Sequence, residues 1–391
     1  MRAIAAALRS PSFSFGTEAS LASGLAGIAL FDAYCGLAAG GDDATAALDR
    51  LDGAIDALGE LAAPRPSLYS GYAGVAWAAA HLAARLGVAG DATAEVDEAL
   101  REHLATAPPP QSYDLLDGFT GIGVYALERL PEPAGVALLA GVIDRLVALA
   151  ETDDDGVTWW SDPATFPEAD RGAFPDGYYN LGVAHGVPAV VALLGRAVAA
   201  GVREDVARRL LDGAVPWLLA HQLPDGADGA FPYHHRSGRP PRPARLAWCY
   251  GDAGIAVALL GAARAVGEPG WESAALAIAA RAAGRDEASA RVTDAGLCHG
   301  ACGLGHLFNR LHQATGDDTF AAAARRWFER GLAMRVPSTG VGGYSALLPG
   351  ADGAPPSPVA DPGFLLGAAG VGLALVAATS DVEPSWDRLL L

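Results

Sequence analysis

Apolar residues in this chain fall into two kinds of run that alternate. One kind is apolar nearly all round and rich in alanine, such as Val75 to Leu86 and Ile255 to Ala265. Such runs predict buried helices. The other kind carries charges at helical spacing and predicts helices with one wet face. Examples are Ala44 to Leu61, Thr93 to Thr106, Val136 to Glu151, Val202 to Gln222, Trp271 to Arg285 and Thr319 to Met334. A buried helix paired with an amphipathic one cannot hide its apolar face alone, so the pairs must stack on one another.

The alternation is a repeat. Each apolar run begins with Gly-x-x-Gly or a close variant. The first glycines are Gly24, Gly71, Gly118, Gly186, Gly251, Gly300 and Gly367, spaced 47, 47, 68, 65, 49 and 67 residues apart. The fourth copy has Ala189 at its second glycine position. Seven pairs predict an all-α fold, an α/α toroid with apolar helices inside and amphipathic helices outside. The seventh inner helix, Leu366 to Ala378, should pack beside the first. The glycines let the chain enter each inner helix tightly and let backbones approach. Residues 1–391 read as one domain with insertions at 153–179, 223–246 and 335–362. The first two insertions are aromatic-rich and precede copies four and five. They predict either a small satellite core or a platform for a ligand at the glycine-motif end.

The positions just ahead of the glycines carry the chemistry. One residue before the first glycine stand Ser23, Ser70, Asp117, His185, Tyr250, His299 and Leu366. Two residues before it stand Ala22, Tyr69, Leu116, Ala184, Cys249, Cys298 and Leu365. Cys249 and Cys298 thus share a register in adjacent copies, and His299 follows Cys298. Two thiolates and an imidazole suit zinc and leave a fourth, open position. The alternative is two buried cysteines and a packed histidine. Cys302 and Cys35 read as core residues. His185 stands at the same end, as a general acid or base or as a hydrogen-bonding residue at a helix entrance. Asp114 reads as a helix cap or a partner in that chemistry. Arg245 reads as a holder of a developing oxyanion or as a loop charge.

Composition narrows the functional classes. The chain has 391 residues, 51% hydrophobic and 18% charged, which fits a large folded core. Its net charge of −18, from 27 basic and 45 acidic residues, argues against a nucleic-acid partner. No export signal is legible in Met1 to Ser10, and the most apolar run, Gly363 to Ala378, is too short and glycine-rich for a membrane helix. A cytoplasmic protein follows, and with it four cysteines used as thiols or ligands and not as disulfides. The richness in Ala, Arg and Gly suggests a GC-rich bacterial genome.

The repeat, the stretch Trp248-Cys249-Tyr250-Gly251 and the stretch Cys298-His299-Gly300 together resemble the cyclases of lanthipeptide biosynthesis, the LanC-like family. The segment Leu181-Gly182-Val183-Ala184-His185-Gly186-Val187-Pro188 matches that family's His-Gly segment. The resemblance implies an α/α toroid and one zinc ion held by Cys249, Cys298 and His299. It also implies His185 as the acid/base residue, assisted by Asp114, with Arg245 matching an arginine four residues before the first zinc cysteine. Without a large N-terminal extension, the chain resembles the stand-alone cyclase. The implied reaction adds peptide cysteine thiolates to dehydroalanine or dehydrobutyrine, forming thioether rings. A dehydrated precursor peptide and a dehydratase partner come with it. Competing readings are a LanC-like protein that binds or adds glutathione, a toroidal glycoside hydrolase working with two carboxylates such as Asp114 and Asp117, and a structural toroid with a vestigial site.

Overall fold

The computed structural model describes residues 1–10, 18–41, 44–348 and 355–391, so residues 349–354 of the third insertion lie outside the described residues. In chain order the helices are α1 (Arg2–Leu8), α2 (Leu25–Ala38), α3 (Thr45–Gly59), α4 (Tyr72–Leu86), α5 (Ala94–Thr106), α6 (Phe119–Glu128), α7 (Pro133–Leu149) and α8 (Glu168–Arg171). They continue with α9 (Val187–Ala199), α10 (Glu204–Ala220), α11 (Asp252–Val266), α12 (Pro269–Ala283), α13 (Glu287–Ala290), α14 (Ala301–Thr315), α15 (Asp318–Ala333) and α16 (Ala368–Thr379). All seven apolar helices, α2, α4, α6, α9, α11, α14 and α16, start one residue after the first glycine of a copy, which serves as the N-cap. The six amphipathic stretches form α3, α5, α7, α10, α12 and α15. In α7 the buried side chains Leu138, Leu139, Val142, Ile143 and Leu146 recur at helical spacing. Each contributes about 1.5–3 kcal/mol of burial.

The chain divides into two compact units. One comprises Met1–Arg65, Tyr69–Ala92 and Arg291–Asp387. Within it α14, α16, α2 and α4 lie side by side in that order. The seventh apolar helix therefore does pack beside the first. Phe31 of α2 meets the backbone of Gly372 in α16 closely enough that no Cβ fits there. The outer partner of α16 comes from the other end of the sequence, because α1 packs on it and buries Ile4 and Leu8. Seven residues are too few for the sequence pattern to declare that helix.

The second unit comprises Pro66–Leu68, Thr93–Ala290 and Arg388–Leu391. Here α6, α9 and α11 lie side by side, with α7, α10 and α12 packed on them. The first two insertions join as an antiparallel sheet, β1 (Ala150–Asp153), β2 (Gly156–Ser161), β3 (Tyr178–Asn180) and β4 (His234–His235), in that order. The sheet rests on α10, with Val157 against Gly213. Trp159 is fully buried and donates its indole N–H to the Leu146 carbonyl at 2.9 Å. In the first unit, β5 (Ala346–Leu348) and β6 (Ser357–Val359) form a hairpin in the third insertion.

The glycine motif has a local cause. The six residues ahead of each first glycine fold back against the helix they precede. In copy six the N–H groups of Ala301, Cys302 and Gly303 donate to the carbonyls of Asp294, Ala295 and Gly296 at 2.9, 3.3 and 3.3 Å. In copy seven Ala368, Ala369 and Gly370 donate to Asp361, Pro362 and Gly363 in the same way. This antiparallel contact leaves no room for a Cβ at either glycine. One at Gly303 would strike the backbone of Leu297. The glycines thus serve each copy's own turn first, and helix-to-helix approach is secondary. Copies are then tied to one another two residues before the first glycine. Leu365 N–H donates to Ala22 O at 3.0 Å, Ala22 N–H to Tyr69 O at 2.9 Å, and Cys298 N–H to Leu365 O at 2.9 Å. In the second unit Ala184 N–H donates to Cys249 O at 3.2 Å.

Candidate metal and proton-transfer site

Cys249 and Cys298 occupy that linking position, where main-chain bonds run from copy to copy. Their main chains are therefore fixed before any ligand binds. Cys249 is 4% exposed, while Cys298 and His299 are partly exposed. The ligand atoms offered by Cys249, Cys298 and His299 all lie within 4.8 Å of one another, and among the described residues no other group of three such side chains meets that condition. All four cysteines are thiols. Cys302 and Cys35 stand apart from the cluster, and burial foremost pushes their thiols up to about 12 and about 11. Thiols held protonated in that way are poor ligands. Cys302 is packed against Gly331 as a core residue, whereas Cys35 lies near the end of α2 and is partly exposed.

The donor set fits zinc. Two sulfurs and one imidazole nitrogen match its softness, and three protein ligands leave one tetrahedral position open. Cys298 and His299 lie on the turn ahead of α14, outside the helix, so their side chains need not diverge by a helical step.

Four residues before Cys249 stands Arg245, half-buried, with its main-chain N–H donating to the Tyr233 hydroxyl at 3.2 Å. Its Nε is buried and makes no hydrogen bond among the described residues. The segment that carries it is pinned from two sides. Asp252 accepts from the N–H groups of Ala230 and Phe231 at 2.8 and 3.1 Å. Arg285 bridges Asp252, at 3.2 Å, to the Ala244 carbonyl at 3.1 Å. Gly251, between Cys249 and Asp252, has φ +91° and its Cα faces the Arg245 carbonyl. Only glycine takes that conformation without strain, so the turn that presents Cys249 depends on it.

His185 Nδ1 lies 3.0 Å from Asp114 Oδ2, and Asp114 Oδ1 accepts the N–H of Asp117 at 2.7 Å. Asp114 is thus both a turn cap and the partner of an imidazole. Burial acts to lower the His185 pKa, but the hydrogen bond and charge of Asp114 raise it, helped by Cys249 and Asp117, and the net direction is up. The side chain retains 39% exposure, so screening weakens the burial effect and favours the same direction.

Beside His185 is a ring cluster to which the sequence register assigns no role. The His185 and Tyr250 rings are 6.3 Å apart, and Tyr233 meets Tyr250 edge-on at 5.2 Å. Asn180, 1% exposed, accepts the Gly182 N–H at 2.8 Å and donates to the Tyr250 hydroxyl at 3.0 Å. Burial, with the charges of Tyr178, Cys249 and Asp114, pushes the Tyr250 hydroxyl far up, so it stays a neutral phenol. Asn180 and its counterpart Asp294 both stand six residues before a first glycine. Extending the register alignment by four positions would have exposed them. The insertion aromatics split between both expectations. Trp159 and Phe231 are core, while Phe166, Phe174, Tyr178 and His234 stack on one another and stay half-exposed.

Layered helices, a sevenfold turn and this thiol–imidazole cluster define an α/α toroid fold, and solved structures agree. The nisin cyclase structure superposes on the chain with a TM-score of 0.76 at 21% identity, covering 100% of this chain and 95% of that one. A family profile described as lanthionine synthetase C-like protein matches residues 17–391, and the chain belongs to that family. No curated protein matches it in sequence. Among the described residues no helix is long and apolar enough to cross a membrane.

Proposed function

We propose that the protein is a zinc-dependent lanthipeptide cyclase, its residues 1–391 working as one domain. It would act in the cytoplasm on a dehydrated precursor peptide supplied by a dehydratase. One observation carries the reading, the convergence of Cys249, Cys298 and His299 within 4.8 Å. Family membership and the likeness to nisin cyclase support it.

Cys249, Cys298 and His299 would hold the zinc. Zinc bound there would lower the pKa of a coordinated thiol, supplying thiolate at neutral pH. A cysteine sulfur of the peptide, its proton released to solvent, would add to the β-carbon of dehydroalanine or dehydrobutyrine. The alkene pair moves onto the carbonyl oxygen, giving an enolate. Arg245, whose buried Nε makes no hydrogen bond among the described residues, would hold that oxygen. His185 gives a proton to the α-carbon from Nε2, since Nδ1 is engaged by Asp114. Asp114 fixes the ring and keeps it protonated at a higher pH than a free imidazole. The half-exposed aromatics of the insertions would guide the peptide.

Metal analysis tests the assignment. One zinc per chain is expected, and Cys249→Ala and Cys298→Ala should each lose it. Undiminished zinc in both variants refutes it. Ring formation in a dehydrated peptide without added glutathione separates a cyclase from a glutathione-adding protein.

A further inference from the structure

Every inner helix is preceded by a turn whose first residue stands six places before the first glycine. In three copies that residue is an Asp or Asn whose side-chain oxygen caps the turn. Asp361 Oδ1 accepts the Gly363 N–H at 2.7 Å, Asn180 Oδ1 accepts the Gly182 N–H at 2.8 Å, and Asp294 Oδ1 accepts the Gly296 N–H at 3.1 Å. One oxygen is enough for this task, and Asn180 shows that an amide performs it.

Asp294 has a second oxygen that the turn does not use. Its side chain is 2% exposed, and Oδ2 makes no hydrogen bond among the described residues. A buried acceptor left unsatisfied in this way carries its full desolvation penalty, so a fold does not keep one without a use. Oδ2 lies 3.4 Å from Nε2 of His299. Asp361, in the next copy, has Leu366 where Asp294 has His299, and no imidazole faces it from that position.

We propose that Asp294 is a positioning residue for the metal centre: its Oδ2 selects the His299 tautomer with the proton on Nε2, so that Nδ1 offers its lone pair to zinc. This rests on the zinc reading above. A carboxylate only accepts hydrogen bonds, so it favours hydrogen on the nitrogen that faces it. In a neutral imidazole the other nitrogen then holds the free lone pair. The same contact raises the basicity of the ligating nitrogen and fixes the ring plane.

Asp294→Asn is the informative variant. Its Oδ1 can keep the Gly296 bond, as Asn180 does in copy four, while its amide hydrogens now face Nε2 and demand the opposite tautomer. Chelator competition should show zinc bound about 10- to 100-fold more weakly. The melting temperature of the zinc-free protein should stay unchanged, which a merely structural role for Asp294 would not allow. Asp294→Glu should recover part of the affinity. Long-range 1H–15N spectra of the zinc-free wild type should show His299 protonated on Nε2, a measurement that needs no variant to fold. Wild-type zinc affinity in Asp294→Asn, or a wild-type His299 protonated on Nδ1, overturns the proposal. Cys298→Ala measured alongside separates the two failures. If it has lost zinc while Asp294→Asn has not, only the positioning role falls. If it binds zinc as the wild type does, the metal assignment itself falls.

Discussion

Replacing Gly303 by alanine tests the link between the repeat and the site. A Cβ at Gly303 would lie 2.6 Å from the carbonyl carbon and 2.9 Å from the Cα of Leu297, and closer still to its oxygen. Ordinary carbon–carbon contact is roughly 3.5–4.0 Å, so the turn must retreat by about 1 Å. Overpacking of this kind costs about 1–3 kcal/mol. The retreat also strains the three bonds from Ala301, Cys302 and Gly303 to residues 294–296, each worth about 1 kcal/mol. Against this, alanine gains about 1 kcal/mol of helix propensity over glycine. Gly261→Ala isolates that gain, because Gly261 is exposed in α11 and a Cβ added there would meet nothing within 4 Å. The two zinc-free variants should therefore differ by about 3 kcal/mol, with Gly261→Ala above the wild type and Gly303→Ala below it. Thermal unfolding should separate them by several degrees, at roughly 2 °C per kcal/mol for a large domain. Leu297 adjoins Cys298, so Gly303→Ala should also weaken zinc binding, while Gly261→Ala should not. A Gly303→Ala protein that melts as high as Gly261→Ala and binds zinc normally would refute the reasoning that the glycines exist to admit the turn.

Three further outcomes follow from the side-chain contacts around the site. Arg285→Ala leaves Asp252 as an uncompensated carboxylate, 0% exposed, and should cost about 3–5 kcal/mol, read as a lowered unfolding midpoint; an unchanged midpoint would remove the pair from the scaffold of Cys249 and Arg245. His185 should titrate by NMR above the ordinary imidazole value of about 6.5, and Asp114→Asn should move it down, because the carboxylate is what favours the protonated ring. As pH rises through the raised pKa, His185 loses its proton and proton delivery fails, so the alkaline limb of cyclisation should shift to lower pH in Asp114→Asn. His185→Ala should keep zinc and lose or misdirect cyclisation; normal ring formation in that variant moves the proton donor elsewhere.

The helices and their starting points were legible because each is stamped by a side-chain pattern. A first glycine marks every inner helix to the residue, and the charge spacing marks every long outer one. Helix α1 was not legible, since seven residues carry too little period. The pairing of β2 with β3 and of β3 with β4 was not legible either, because it joins two insertions far apart in sequence through main-chain bonds that leave no side-chain signature. For the site, shared register was enough to join Cys249 to Cys298 and His299. It could not show that His185 leans on Asp114, since that contact depends on two turns from different copies meeting.

What register cannot supply is the second use of a residue that already has a structural one. Asp114 caps a turn through Oδ1 and holds His185 through Oδ2. Asn180 caps a turn through its oxygen and holds Tyr250 through its nitrogen. Asp294 caps through one oxygen and turns the other toward His299. In each case a short side chain with two polar atoms gives one to the fold and one to the chemistry. The fold therefore fixes the side chain's position without consuming its function. Each turn capped by such a side chain thus sets a second polar atom beside a residue, such as His185 or His299, that departs from the pattern.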